Sequence, residues 1–142
     1  MNKDNLIKLR NGLADLPDDY GDFDMSNYYG SAGSAGGANM PPRSCGTVAC
    51  VLGHGPSIVT PGLPGEHWVD YGIRVFGIDD DEPEWEWLFS ADWDDFDNTL
   101  KGAVKRIDYY LSNGLPAGFA SEHESGRFYV YDFKEGLAAY AS

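Results

Sequence analysis

Leucines recur at positions 6, 9 and 13, flanked by Ile7 and Leu16 and separated by polar residues. That spacing predicts an amphipathic helix over 3–16, which Pro17 stops. The next helical pattern is short and unusually small-residued: Cys45-Gly46-Thr47-Val48-Ala49-Cys50-Val51-Leu52-Gly53-His54, with Ser44 as its N-cap. Gly53, Gly55 and Pro56 are expected to end it, and 57–65 to form a loop rich in Pro and Gly. Over 66–76 the pattern is mixed. Trp68, Tyr71 and Val75 suit a helix face, whereas Ile73 and Val75 with their polar flanks also suit a strand; helix is favoured, with Gly77 as its C-cap. Pro83 opens a short helix over 83–90 that carries Trp85, Leu88 and Phe89. The clearest periodicity runs over 99–112, where Leu100, Ala103, Val104, Ile107 and Leu111 share one face behind an Asn98 or Thr99 cap. Asn113-Gly114 and Pro116 close it. Residues 126–133, aromatic and β-branched, form the best strand pattern, with 118–121 as the nearest hairpin partner.

These elements predict a mostly α fold: a single compact helical domain over 1–142, with room for a small C-terminal β-hairpin. The Gly/Ser/Ala/Pro stretch 30–42 reads as a flexible loop and 117–142 as a C-terminal extension. With 142 residues, 42% of them hydrophobic, the chain can bury a sizeable core. No apolar run approaches a membrane span and no signal core follows Met1, so a cytoplasmic setting is expected.

Charge changes the picture. Ten Lys and Arg against 23 Asp and Glu give a net charge of −13. Such a surface repels nucleic acid and attracts basic proteins, so no direct nucleic-acid binding is expected.

The order of several short motifs resembles a family of small, uncharacterised proteins encoded by bacteriophages and their bacterial hosts. The matching residues are Phe23-Asp24-Met25, the Cys45–Pro56 run, Trp68-x-x-Tyr71, and Arg74-Val75-Phe76-Gly77. They continue through Trp85-x-Trp87-Leu88-Phe89-Ser90, Trp93, Asp97-Asn98-Thr99 and Gly102–Ile107, and end near Gly114-Leu115-Pro116. The resemblance covers roughly 5–116. It implies a compact helical domain and a phage or prophage accessory role exercised by binding host components, without an established activity.

Four constellations could carry chemistry. Cys45 at a helix N-terminus with His67 as base is the pattern of a papain-like thiol hydrolase, since a helix dipole favours thiolate. Only 21 residues separate them, which is short for that fold, and free Cys also packs as a small hydrophobe. Cys45, Cys50, His54 and His67 are metal-ligand types, but Cys45 and Cys50 lie about 140° apart on a helix, and no C-x-x-C knuckle is present. No metal and no cofactor is therefore expected. The third is an acidic belt between Arg74 and Lys101. Glu84, Glu86, Asp92, Asp94 and Asp95 could dock on a basic host protein, although solvated carboxylates opposite buried aromatics explain much of it. The fourth is a set of scarce cations and donors, Arg43, Thr47, Arg74, Lys101, Lys105 and Arg106, that could hold a small anionic, nucleotide-like ligand between aromatic walls. Binding rather than catalysis is the favoured reading, with the thiol enzyme as the alternative.

Overall fold

In the computed structural model, residues 1–17, 23, 51–90, 93, 96–116, 119, 136–138 and 140 are described. Among them the regular structure is helical: α1 (Lys3–Ala14), a 3-10 turn (Leu52–His54), α2 (Gly55–Ile58), α3 (Trp68–Phe76), α4 (Pro83–Phe89) and α5 (Leu100–Asn113). The mostly α reading holds. The hairpin pattern at 126–133 lies outside the described residues.

The leucine stripe of α1 does what its spacing dictates: Leu6, Leu9 and Leu13 are fully buried. Asn2 caps the helix, its Oδ1 accepting from Asn5 N–H at 3.1 Å. The same turn is tied to α3, because Asn2 N–H donates to Phe76 C=O at 2.7 Å and Asn5 Nδ2 to Val75 C=O at 2.7 Å. Along its length α1 packs on α5. Arg10 forks onto Asp108, Nε to Oδ1 at 2.8 Å and Nη2 to Oδ2 at 3.1 Å. Leu13 and Ala14 lie instead near Leu100 and Val104, so the two helices run antiparallel.

The ambiguous segment at 66–76 is a helix. Trp68, Tyr71, Gly72, Val75 and Phe76 are its buried residues, a 3.6-residue stripe. Gly77, at φ 70°, closes it in the left-handed region, and Ile78 N–H returns to Gly72 C=O at 3.3 Å. Gly72 has no room for a β-carbon, which would collide with the Trp85 ring of α4. Helix α4 is apolar on two sides for two purposes. Trp85 and Phe89 face α3, with Phe89 5.6 Å from Phe76 between ring centroids. Trp87 turns the other way into the rings of Trp93, Tyr109, Phe119 and Tyr140.

One expected helix end is corrected. Gly53, Gly55 and Pro56 do not stop the helical backbone; a 3-10 turn runs into α2 through them. Proline lacks an N–H and fixes φ near the helical value, so at N1 it starts a helix as readily as it ends one upstream. Val51, Leu52, Gly53, His54 and Gly55 are all buried, and the Tyr71 ring leaves no space for a β-carbon at Gly55.

Candidate functional site

A groove of about 730 Å³ lies where the C-terminal end of α1 meets the N-terminal half of α5. Its floor is aliphatic, built from Leu13, Leu16, Pro17, Leu100 and Val104, with Phe23 at one side. Lys101 and Lys105 stand on its rim, both exposed. They are four residues apart on α5 and so project from one face, about 6 Å apart at Cβ. Neither has an ion-pair partner among the described residues. In a chain with more than twice as many carboxylates as cations, two adjacent ammonium groups without partners among the described residues are a marked local inversion of charge.

The head of α5 is already satisfied from within. Thr99 is the N-cap, its Oγ1 accepting from Gly102 N–H at 2.9 Å and donating to Asp97 Oδ1 at 2.5 Å. The Asp97 carboxylate lies so close over the first turn that a β-carbon at Gly102 would overlap it. Asp97 Oδ2 also accepts from the Tyr140 hydroxyl and lies 3.7 Å from Arg106 Nη1.

Arg106, expected among the ligand-binding cations, is a core residue. Its side chain is 1% exposed, stacked with its guanidinium carbon 4.3 Å from the Trp93 ring centroid. Nη1 donates to Asp97 C=O at 3.2 Å, while Nε and Nη2 are buried with no hydrogen-bond partner among the described residues. Burial pulls its pKa down to about 10, against the opposing pull of Asp97 and Tyr140. A guanidinium enclosed in this way cannot meet an external anion.

The other predicted cations separate too. Arg74 forks onto Glu66, Nε to Oε2 at 2.8 Å and Nη2 to Oε1 at 2.9 Å, and borders a different cleft with Met1–Asp4. That hydrogen-bonded pairing holds the Glu66 carboxyl below the usual carboxylate range. Arg43 and Thr47 lie outside the described residues; of the predicted cations that are described, Lys101 and Lys105 share the groove. Among the described residues Trp85, Trp87 and Trp93 are core rather than groove walls, and Phe23 is the one aromatic side chain in the described lining. The groove itself was invisible in the sequence, because it needs α1 and α5 side by side.

His67 is exposed at the N-cap of α3 rather than on a strand, and Cys45 and Cys50 lie outside the described residues. His54 is buried, its ring 5.7 Å from Phe23. No metal-ligand group of His, Cys, Asp and Glu forms among the described residues. Of the acidic belt, Glu84 and Glu86 sit in the first turn of α4, where negative charge is favoured, and both are engaged within the chain. Asp92, Asp94 and Asp95 lie outside the described residues. Among those described, no helix is long and apolar enough to cross a membrane. No protein-family model, curated protein or solved structure matches the chain.

Proposed function

We propose that the protein acts by binding, taking a small anionic ligand into the α1–α5 groove in the role of a phage or prophage accessory protein. The observation that carries this is the pairing of Lys101 and Lys105, without ion-pair partners among the described residues, on the rim of an apolar groove. Like charges four apart on a helix repel, and an incoming anion removes that penalty while gaining two charged contacts. Pockets of this size, mostly apolar with a few placed polar groups, are the ordinary form of small-molecule sites.

The test is a thermal-shift panel of carboxylates, phosphomonoesters and nucleotides on the wild type and on Lys101→Glu/Lys105→Glu. At a hundredfold excess over Kd, a true ligand raises Tm by roughly 5–10 °C, and charge reversal abolishes the rise. No rise with any anion, or a rise indifferent to charge reversal, contradicts the assignment.

A second reading, docking on a basic host protein, has one supporting observation. In the turn ahead of α4 the carboxyl of Asp80 is held above the usual range by its hydrogen bond with Asp79, by burial and by Asp79 and Asp81 charge. A cationic partner would relieve that crowding. Association with a lysine-rich peptide that fades as salt rises, and is lost in Asp80→Asn, is the outcome this reading requires.

A further inference from the structure

The lining of the groove narrows the class of ligand, an inference that rests on the anion-binding reading above. We infer that the groove takes a linear acyl carboxylate, a fatty acid, with its chain along the α1–α5 seam and its head between Lys101 and Lys105. Three observations lead there. Apart from Phe23, the two lysines, and Asn98 and Thr99 at the head of α5, the described lining is aliphatic, with no tryptophan or tyrosine to stack a nucleobase, and Asn98 is engaged within the chain. Its hydroxyl, on Thr99, is committed to Asp97 and Gly102. Among the described lining residues a nucleotide would therefore find no tryptophan or tyrosine platform and no uncommitted hydroxyl for its sugar.

The head group follows from what surrounds the lysines. Phosphate recognition favours a forked guanidinium or an open helix N-terminus. Here no arginine lines the groove among the described residues, and Thr99 and Asp97 already occupy the head of α5. Two ammonium groups on one helix face match a single carboxylate, whose two oxygens can each accept one bond. The rest of the molecule argues for a small occupant. At −13 overall, the chain repels an acidic peptide or a second copy of itself at long range. One carboxylate on a neutral chain feels mainly the local lysines.

Calorimetric titration of the full chain with octanoate, decanoate and dodecanoate, each below its aggregation concentration, tests the inference. Affinity is expected to rise roughly fourfold per added methylene. Lys101→Ala/Lys105→Ala is expected to weaken every member about tenfold while leaving the chain-length slope intact. Val104→Trp, which fills the floor, should remove the slope; urea denaturation verifies that this variant still folds. Binding that ignores chain length overturns the acyl assignment. So does binding of adenosine monophosphate or decyl phosphate, dependent on Lys101 and Lys105, in place of the fatty acids; the anion-binding reading then stands. Absence of binding by all of these overturns both.

Discussion

Arg106 is where this fold runs its largest electrostatic risk: a guanidinium under the core aromatics, held by one side of Asp97 and the face of Trp93. Its worth is therefore asymmetric. Asp97→Ala removes the counter-charge, the Thr99 acceptor and the Tyr140 acceptor together, and leaves the buried cation unpaired. A loss of about 3 kcal/mol in urea denaturation is expected. Arg106→Met replaces the cation with an apolar chain of similar length, while Asp97, 19% exposed, keeps Thr99 and Tyr140 as donors. Its cost should be clearly smaller, and equal losses would contradict this account of the pair. The sequence held a partial signal. Gly102, Ala103 and Ile107 lie on the same side of α5 as Arg106, so its flank is small and apolar. Charge alone groups it with Lys105 among the candidate anion-binding cations. The periodicity of residues 99–112 located the helix correctly but not which edge of its wide face the α4 aromatics would cover.

At the scale of elements, what local chemistry specifies was legible and what tertiary contact specifies was not. Helix α1 with its leucine stripe, α4 behind Pro83, and α5 between Thr99 and Gly114 follow from spacing and caps. So does the end of α3, because only a residue at ease with positive φ can occupy position 77. The continuation through Gly53–Pro56 was not readable, since the same glycines and proline serve equally to stop a helix and to restart one. Two outcomes belong here. Thr99→Ala should cost about 1 kcal/mol by removing the cap of α5. Gly102→Ala, normally favourable within a helix, should instead destabilise, because the new methyl displaces the Asp97 carboxylate. In the same helix, Lys101→Ala should leave the unliganded fold unchanged or stabilise it by a few tenths of a kcal/mol, since it ends an i, i+4 repulsion. Chemical denaturation of the three variants checks all of these, and a Gly102→Ala protein more stable than wild type would refute the packing described for Asp97.

The whole molecule is a helical cluster with a dominant negative charge, and both properties have measurable consequences. Added salt should raise Tm, because screening weakens the self-repulsion of a −13 surface. Alkaline pH should act through buried phenols. Burial raises the pKa of Tyr71, whose hydroxyl donates to Thr60 C=O at 2.5 Å, and moves Tyr140 up to about 12. Folded, these groups keep protons that they would release near pH 10 when unfolded, so their stabilisation is complete below pH 10 and lost as pH climbs through the folded values. Arg106 acts in the opposite sense. It releases its proton near pH 10 when folded but only at higher pH when unfolded, so its burial cost eases as pH rises above about 10. Two phenols against one guanidinium leave a net fall. Urea midpoints should drop from pH 9 to pH 11, and drop less in Tyr71→Phe/Tyr140→Phe. The groove belongs to this scale as well, because no single element contains it. Its most direct test is amide chemical-shift mapping of the labelled protein titrated with dodecanoate. Saturable shifts should concentrate at Leu13, Leu16, Leu100, Lys101 and Val104 and vanish in Lys101→Glu/Lys105→Glu. Shifts centred on α3 and the Asp79–Glu82 turn, or none at all, would show that the α1–α5 groove is not where this protein works.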